Sequence, residues 1–118
     1  MRANGDIGLL LPDVHLFHSR KKCKRFLKRN GFDDVELYDT QGQMIYSDGL
    51  AVVLMEHKGR RSTELALLVH EAYHAAEAHM SWLGEDRYGE ESMAYLLQTI
   101  TAGLFDAHLR WRKKHRDK

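Results

Sequence analysis

The stretch "LLVHEAYHAAEAH", residues 67–79, decides how this chain reads. It sets His70, Glu71 and His74 in the order H-E-x-x-H within a run spaced as a helix. At about 3.6 residues per turn, His70 and His74 are rotated about 40° from each other, so both rings reach one point beside the helix. Glu71, one residue past His70, is rotated about 100° and stands beside that point rather than on it. A catalytic zinc takes three protein ligands and keeps a fourth position open for water. Glu71 is where a general base would take a proton from that water. Leu65, Leu68, Ala72, Ala75, Ala76 and Leu83 form an apolar stripe on the opposite side, so the helix packs by one face and presents the histidines on the other. The competing reading is two hydrogen-bonded histidines in an alanine-rich helix. With eight His among 118 residues, a shuffled chain spells the motif on the order of a few per cent of the time.

This helix is expected from Ser62 or Thr63 to Leu83, with Gly84 as its stop and Glu64 as a first-turn carboxylate that suits the positive helix end. A second helix begins near Gly89, runs through "ESMAYLLQTITAGLFDAHLRW" (91–111) and frays into "RKKHRDK" (112–118). Glu85, Asp86, Glu90 and Glu91 are the candidates for a third ligand. Glu91 shares a face with Tyr95, Gln98 and the small Ala94 and Ala102, a strip expected to lie against the first helix; Glu90 is rotated about 100° away. Spacing leaves the choice open, since first-turn carboxylates also serve the helix dipole. Glu77, one turn beyond His74, reads as a carboxylate beside the site or on the surface. Tyr73, Tyr88, Tyr95 and His108 are candidates to stabilise a transition state and equally fit the core or an interface. His79, rotated about 180° from His70, reads as a hydrogen-bonded core histidine. His15, His18, His57 and His115 carry no spacing argument.

Upstream, "VHLFH" (14–18) alternates as a short strand. "SRKKCKRFLKRNG" (19–31) reads as a helix with Ser19 as N-cap and Gly31 as stop, turning Cys23, Phe26 and Leu27 inward. "VELYD" (35–39), "QMIYS" (43–47) and "LAVVLME" (50–56) read as three consecutive strands. Asp48-Gly49 supplies the two-residue hairpin turn, where both positions tolerate positive φ. The third strand is apolar almost throughout and is expected to be covered on both faces. The fold class is therefore α+β: one domain over 1–118, an antiparallel β-meander backed by helices, with 1–13 irregular and 112–118 a flexible basic tail.

Composition fits an ordinary globular domain, 43% hydrophobic and 30% charged, with a formal net charge of only +1. A single cysteine, Cys23, excludes an internal disulfide and a cysteine zinc finger and suits a reducing compartment. "IGLLLPDV" (7–14) is too short to span a membrane and lacks a signal-peptide layout, so a cytoplasmic location is expected. Charge is unevenly placed: seven of the 18 Lys and Arg lie in 20–29 and six in 110–118. The basic helix suits nucleic-acid phosphates, an acidic partner, or simply solvent. No aromatic residues interleave it as single-strand stacking requires.

"HEAYH" followed by "EESMAY" resembles the gluzincin layout of metallopeptidases. More closely, the chain is similar, over roughly residues 14 to 111, to a family of short HExxH proteins encoded in phages and prophages, mostly of undetermined function. The stretches that carry the likeness are "VHLFHSRKKCKRFL", "LAVVLME", "LLVHEAYHAAE", "GED" and "EESMAYLLQ". The resemblance implies a zincin-like fold. It implies Zn²⁺ held by His70, His74 and Glu91, the Glu that precedes "xxAY", with Glu71 as the water-activating base. The expected activity is a zinc-dependent peptidase or other amide hydrolase acting on a protein or peptide, in the host cytoplasm or a virion. The alternative is a non-catalytic phage component, a virion or assembly protein or an inhibitor of a host system, acting by protein–protein contact.

Overall fold

The apolar run at Leu50–Met55 has no polar face to offer water, and the fold surrounds it. The computed structural model describes residues 11–33, 35–38, 41–56, 60–84 and 90–115, with Glu90 and Glu91 described by backbone alone. Its elements are β1 (Asp13–Phe17), α1 (Arg20–Arg29), β2 (Gly42–Ser47), β3 (Leu50–Met55), α2 (Arg61–Trp82) and α3 (Glu90–His115). The sheet order is β1-β3-β2, which puts β3 in the centre. Ala51, Val53 and Met55 face α2 and α3 and join Leu68, Ala72, Ala75, Ala76 and Met80 with Leu96, Ile100 and Leu104. Val52 and Leu54 face the other way, onto Cys23 and Leu27 of α1. The result is three layers, α1 on one face of the sheet and the α2–α3 pair on the other. Among the described residues no helix is long and apolar enough to cross a membrane.

Local chemistry explains several boundaries. Ser19 accepts from the Lys22 backbone N–H at 3.3 Å and starts α1. The hairpin between β2 and β3 turns at Asp48 (φ 48°) and Gly49 (φ 87°), both in the left-handed region. Gly84, at φ 77°, stands just past the end of α2. α2 starts at Arg61, one or two residues before the expected Ser62 or Thr63, with Arg60 as N-cap and no side-chain capping bond. Burial raises the Cys23 thiol to about 11, which leaves it an inert core residue.

The sheet corrects the expected antiparallel meander. β2 pairs antiparallel with β3, but the other neighbour is β1, and it runs parallel, with Val14 opposite Ala51 and Phe17 opposite Leu54. Residues 35–38 form no strand, and Asp39 lies outside the described residues. A meander would lay this segment on the outer edge of β2; instead its backbone groups are satisfied by side chains. Arg20 donates to the Leu37 and Tyr38 carbonyls at 3.0 and 2.9 Å. Gln43 accepts from the Tyr38 N–H at 2.8 Å and donates to the Glu36 carbonyl at 2.9 Å. Val35 and Leu37 still pack into the α1-side core.

Two helix expectations also change. The small strip of Ala94 and Ala102 does not face α2, because both are exposed together with Gln98. Leu96, Ile100 and Leu104 take the inward face, where longer side chains bury more apolar area. Close approach comes instead from Ala72, Ala75 and Ala76 of α2, all fully buried. The tail expected from 112 is helical through His115, tied by Arg112 to Glu64 and by a 2.8 Å bond between His115 Nδ1 and the Trp111 carbonyl. Residues 116–118, like 1–10, lie outside the described residues.

Candidate metal centre

Packing α2 on the sheet through its alanine stripe turns His70 and His74 outward, and both are exposed. Their Nε2 atoms approach to 3.2 Å, with the rings edge-to-face at 4.7 Å between centroids. Two nitrogens about 2.0–2.1 Å from a tetrahedral zinc stand about 3.3 Å apart, so the pair already has the bite of the ion. Without metal, one ring donates to the other across the same gap.

Glu71 turns inward rather than out. It is 5% exposed and lies in the seam between α2 and the edge strand β2. The backbone of Gly42 makes room for it: a Cβ at that position would stand 3.0 Å from Glu71 Oε2. Burial raises the Glu71 carboxyl above its ordinary range, and the neighbouring His70 and His74 oppose the shift. An open cleft of about 440 Å³ runs along this seam, lined by Gln41, Gly42, Thr63, Ala66, Leu67, His70 and Glu71. The cleft and Gly42 were not singled out from sequence. The one available signal was a glycine at the start of a strand, which often marks a close approach.

Among the described residues no third His, Cys, Asp or Glu joins the pair. Glu90 and Glu91 open α3, and their side chains lie outside the described residues, as do Glu85, Asp86 and Tyr88. Glu77 is exposed and accepts from the Tyr73 hydroxyl at 3.1 Å. Tyr73 itself is 46% exposed. His79 is the core histidine expected, buried with Nδ1 at 2.7 Å from the Tyr46 hydroxyl.

The chain matches no known protein family, no curated protein and no solved structure. Its own residues carry the reading.

A second polar cluster, unmarked by any spacing, lies at the far end of α3. His108 is fully buried, with Nε2 3.0 Å from Glu64 Oε1 and Nδ1 2.9 Å from His18 Nε2. With Nε2 turned to the Glu64 carboxylate, Nδ1 of His108 meets His18, one ring donating to the other. Arg112 donates to the same Glu64 oxygen at 2.5 Å. His18 stacks on Trp111 at 3.9 Å. Glu64 is thus a buried anchor for α3 rather than only a first-turn carboxylate, and His108 is committed to it rather than to the histidine pair.

Burial, followed by the neighbouring His108, lowers the His18 pKa from 6.5 to about 4, with Glu64 partly offsetting and His115 adding to the fall. The folded state therefore holds a neutral imidazole that the unfolded chain protonates more readily. Its contribution is complete above pH 6.5 and is lost as pH falls from 6.5 through about 4. Discounted for partial exposure, this is about 1–2 kcal/mol. Urea unfolding across that window should show wild type losing about 1–2 kcal/mol more than His18→Gln. Equal losses in the two proteins would refute the assignment.

Proposed function

We propose that this chain is a zinc-dependent amide hydrolase, most simply a metallopeptidase. The observation that carries the reading is the 3.2 Å convergence of the His70 and His74 Nε2 atoms on the exposed face of α2, next to the cleft that holds Glu71. In this reading His70 and His74 are two ligands and Glu91 is the third, with Zn²⁺ as cofactor. A bound zinc ion supplies Lewis acidity to a water molecule and to the substrate carbonyl. Glu71 accepts the water's proton on a carboxylate oxygen and returns it to the departing amine nitrogen. The seam buries Glu71 against the backbone of Gly42, beside the cleft. The largely apolar wall of Ala66 and Leu67 suits a peptide side chain laid along α2.

The test pairs metal content with cleavage of a mixed peptide library read by mass spectrometry. Zinc-loaded wild type should cleave, and Glu71→Gln should keep its zinc while losing on the order of 10²–10⁴-fold in rate. Zinc retained in both proteins with no cleavage by either would favour the non-catalytic reading, a zincin-fold protein that acts by contact with a partner. No zinc in either would end the ligand assignment.

A further inference from the structure

The basic helix α1 has no part in the metal centre, and it lies on the opposite face of the sheet. Cys23 and Leu27 fix its inner side on Val52 and Leu54. Arg20, its first residue, is engaged with Glu56 at 2.7 Å. The other cations are Lys21, Lys22, Lys24, Arg25, Lys28 and Arg29, and all six are exposed. By helical rotation they spread over an outward arc of about 160°. Among the described residues none of the six is in an ion pair. No acidic residue lies in the helix, and no apolar side chain interrupts the arc.

The fold also joins this helix to the second basic run. His18, the residue before the α1 N-cap Ser19, stacks on Trp111 at 3.9 Å. Trp111 of α3 therefore lies beside the segment that leads into α1, flanked by the exposed Arg110 and Lys114, while Lys113 is rotated about 160° from it. His18 thus links the two helices that carry the basic runs, which lie on opposite faces of the sheet, in a chain whose net charge is only +1.

We infer that the outer face of α1 is a docking surface for duplex DNA that engages the phosphates without reading the sequence. Charge complementarity sets the partner. Ten residues of helix extend about 15 Å, a length over which B-form DNA presents about nine phosphate charges. A helix about 10–12 Å across fits the major groove, about 12 Å wide, with the cations at the two edges of the arc turned to opposite strands. The deep, narrow major groove of duplex RNA does not admit it. The face lacks the aromatic platforms of single-strand binders and the central apolar anchors of a protein interface. It also lacks Asn and Gln, which read adenine, and four of its six cations are lysines, which meet phosphates as point charges.

The experiment is fluorescence anisotropy of the full chain with two fluorescein-labelled DNA duplexes of unrelated sequence, across a salt titration. Both duplexes should bind with equal affinity, and log K should fall with log salt at a slope of about −5, for five or six neutralised phosphates. The K21Q/K24Q/K28Q variant, altered only at exposed positions, should flatten that slope by about 2.7 and weaken binding at least about tenfold. Three results would overturn the inference: no binding to DNA at low salt, unchanged binding in the triple variant, or equal or tighter binding to duplex RNA. Tighter association with phosphatidylserine vesicles at equal phosphate concentration would reassign the surface to a membrane.

Discussion

Glu64→Ala should lower the stability of the fold by about 3–5 kcal/mol, a drop of about 10–20 °C in melting temperature. Glu64 is 3% exposed, and its Oε1 accepts from His108 Nε2 at 3.0 Å and from Arg112 at 2.5 Å. Truncation leaves a fully buried imidazole N–H facing a cavity and removes the carboxylate that holds Arg112. Arg112 itself is 39% exposed and can return to water, so Arg112→Ala should cost only about 1 kcal/mol. Glu64→Gln keeps the volume and one acceptor oxygen and should fall between the two. The magnitude separates two roles for the same residue. A carboxylate that only complements the helix dipole contributes about 0.3–1 kcal/mol. Chemical denaturation of the three variants, followed by far-UV circular dichroism, measures the difference, and a Glu64→Ala cost under about 1 kcal/mol would return Glu64 to the dipole role. A double-mutant cycle between Glu64 and His108 should also show non-additivity, since each removal leaves the other buried.

The same residues mark what sequence makes legible. Local periodicity carried the outward pair of His70 and His74, the inward Cys23 and Leu27, the Asp48-Gly49 turn and the doubly covered β3. Each depends on residues within a few positions of one another. The cluster at Glu64 does not: its partners stand 44, 48 and, through His108, 90 residues apart in the chain. Nothing local marks His18 or His108 as members.

Strand pairing failed for a related reason. "VELYD" has the alternation of a strand, and a meander would lay it on the outer edge of β2, yet β2 ends the sheet and the second neighbour of β3 is β1, which comes from much earlier in the chain. Gln43 and Arg20 then satisfy the segment's backbone groups one by one. The helix-facing side of α3 shows a third kind of limit. A strip of small residues and a stripe of leucines both have helical spacing, and burial of apolar area decided in favour of Leu96, Ile100 and Leu104. In the candidate site, rotation alone placed Glu71 beside the histidines; only the packing of α2 on β2 sinks it against Gly42.

His74→Ala should abolish the response of the protein to zinc while leaving its fold intact. His74 is exposed and its ring contacts are with His70 and Tyr73, so its removal opens no cavity in the core. The cost falls on the ion. Wild-type protein should melt higher with added zinc, by an increment equivalent to about 2.7 kcal/mol when free zinc is about 100 times its Kd. In His74→Ala the remaining ligands no longer close around the metal, and affinity should fall by more than the 10–100-fold typical of losing an outer hydrogen-bond partner. The zinc-dependent shift should therefore vanish, while the zinc-free melting temperatures of the two proteins agree within about 2 °C, as expected for an exposed position. His79→Ala provides the contrast. His79 is 1% exposed and bonded to Tyr46, so its loss should lower the zinc-free melting temperature and leave the shift in place. A wild-type protein that gains nothing from zinc would count against the site, and so would a His74→Ala variant that gains as much as wild type. The 3.2 Å gap between the two imidazoles would then be an ordinary hydrogen bond on the surface of an alanine-rich helix.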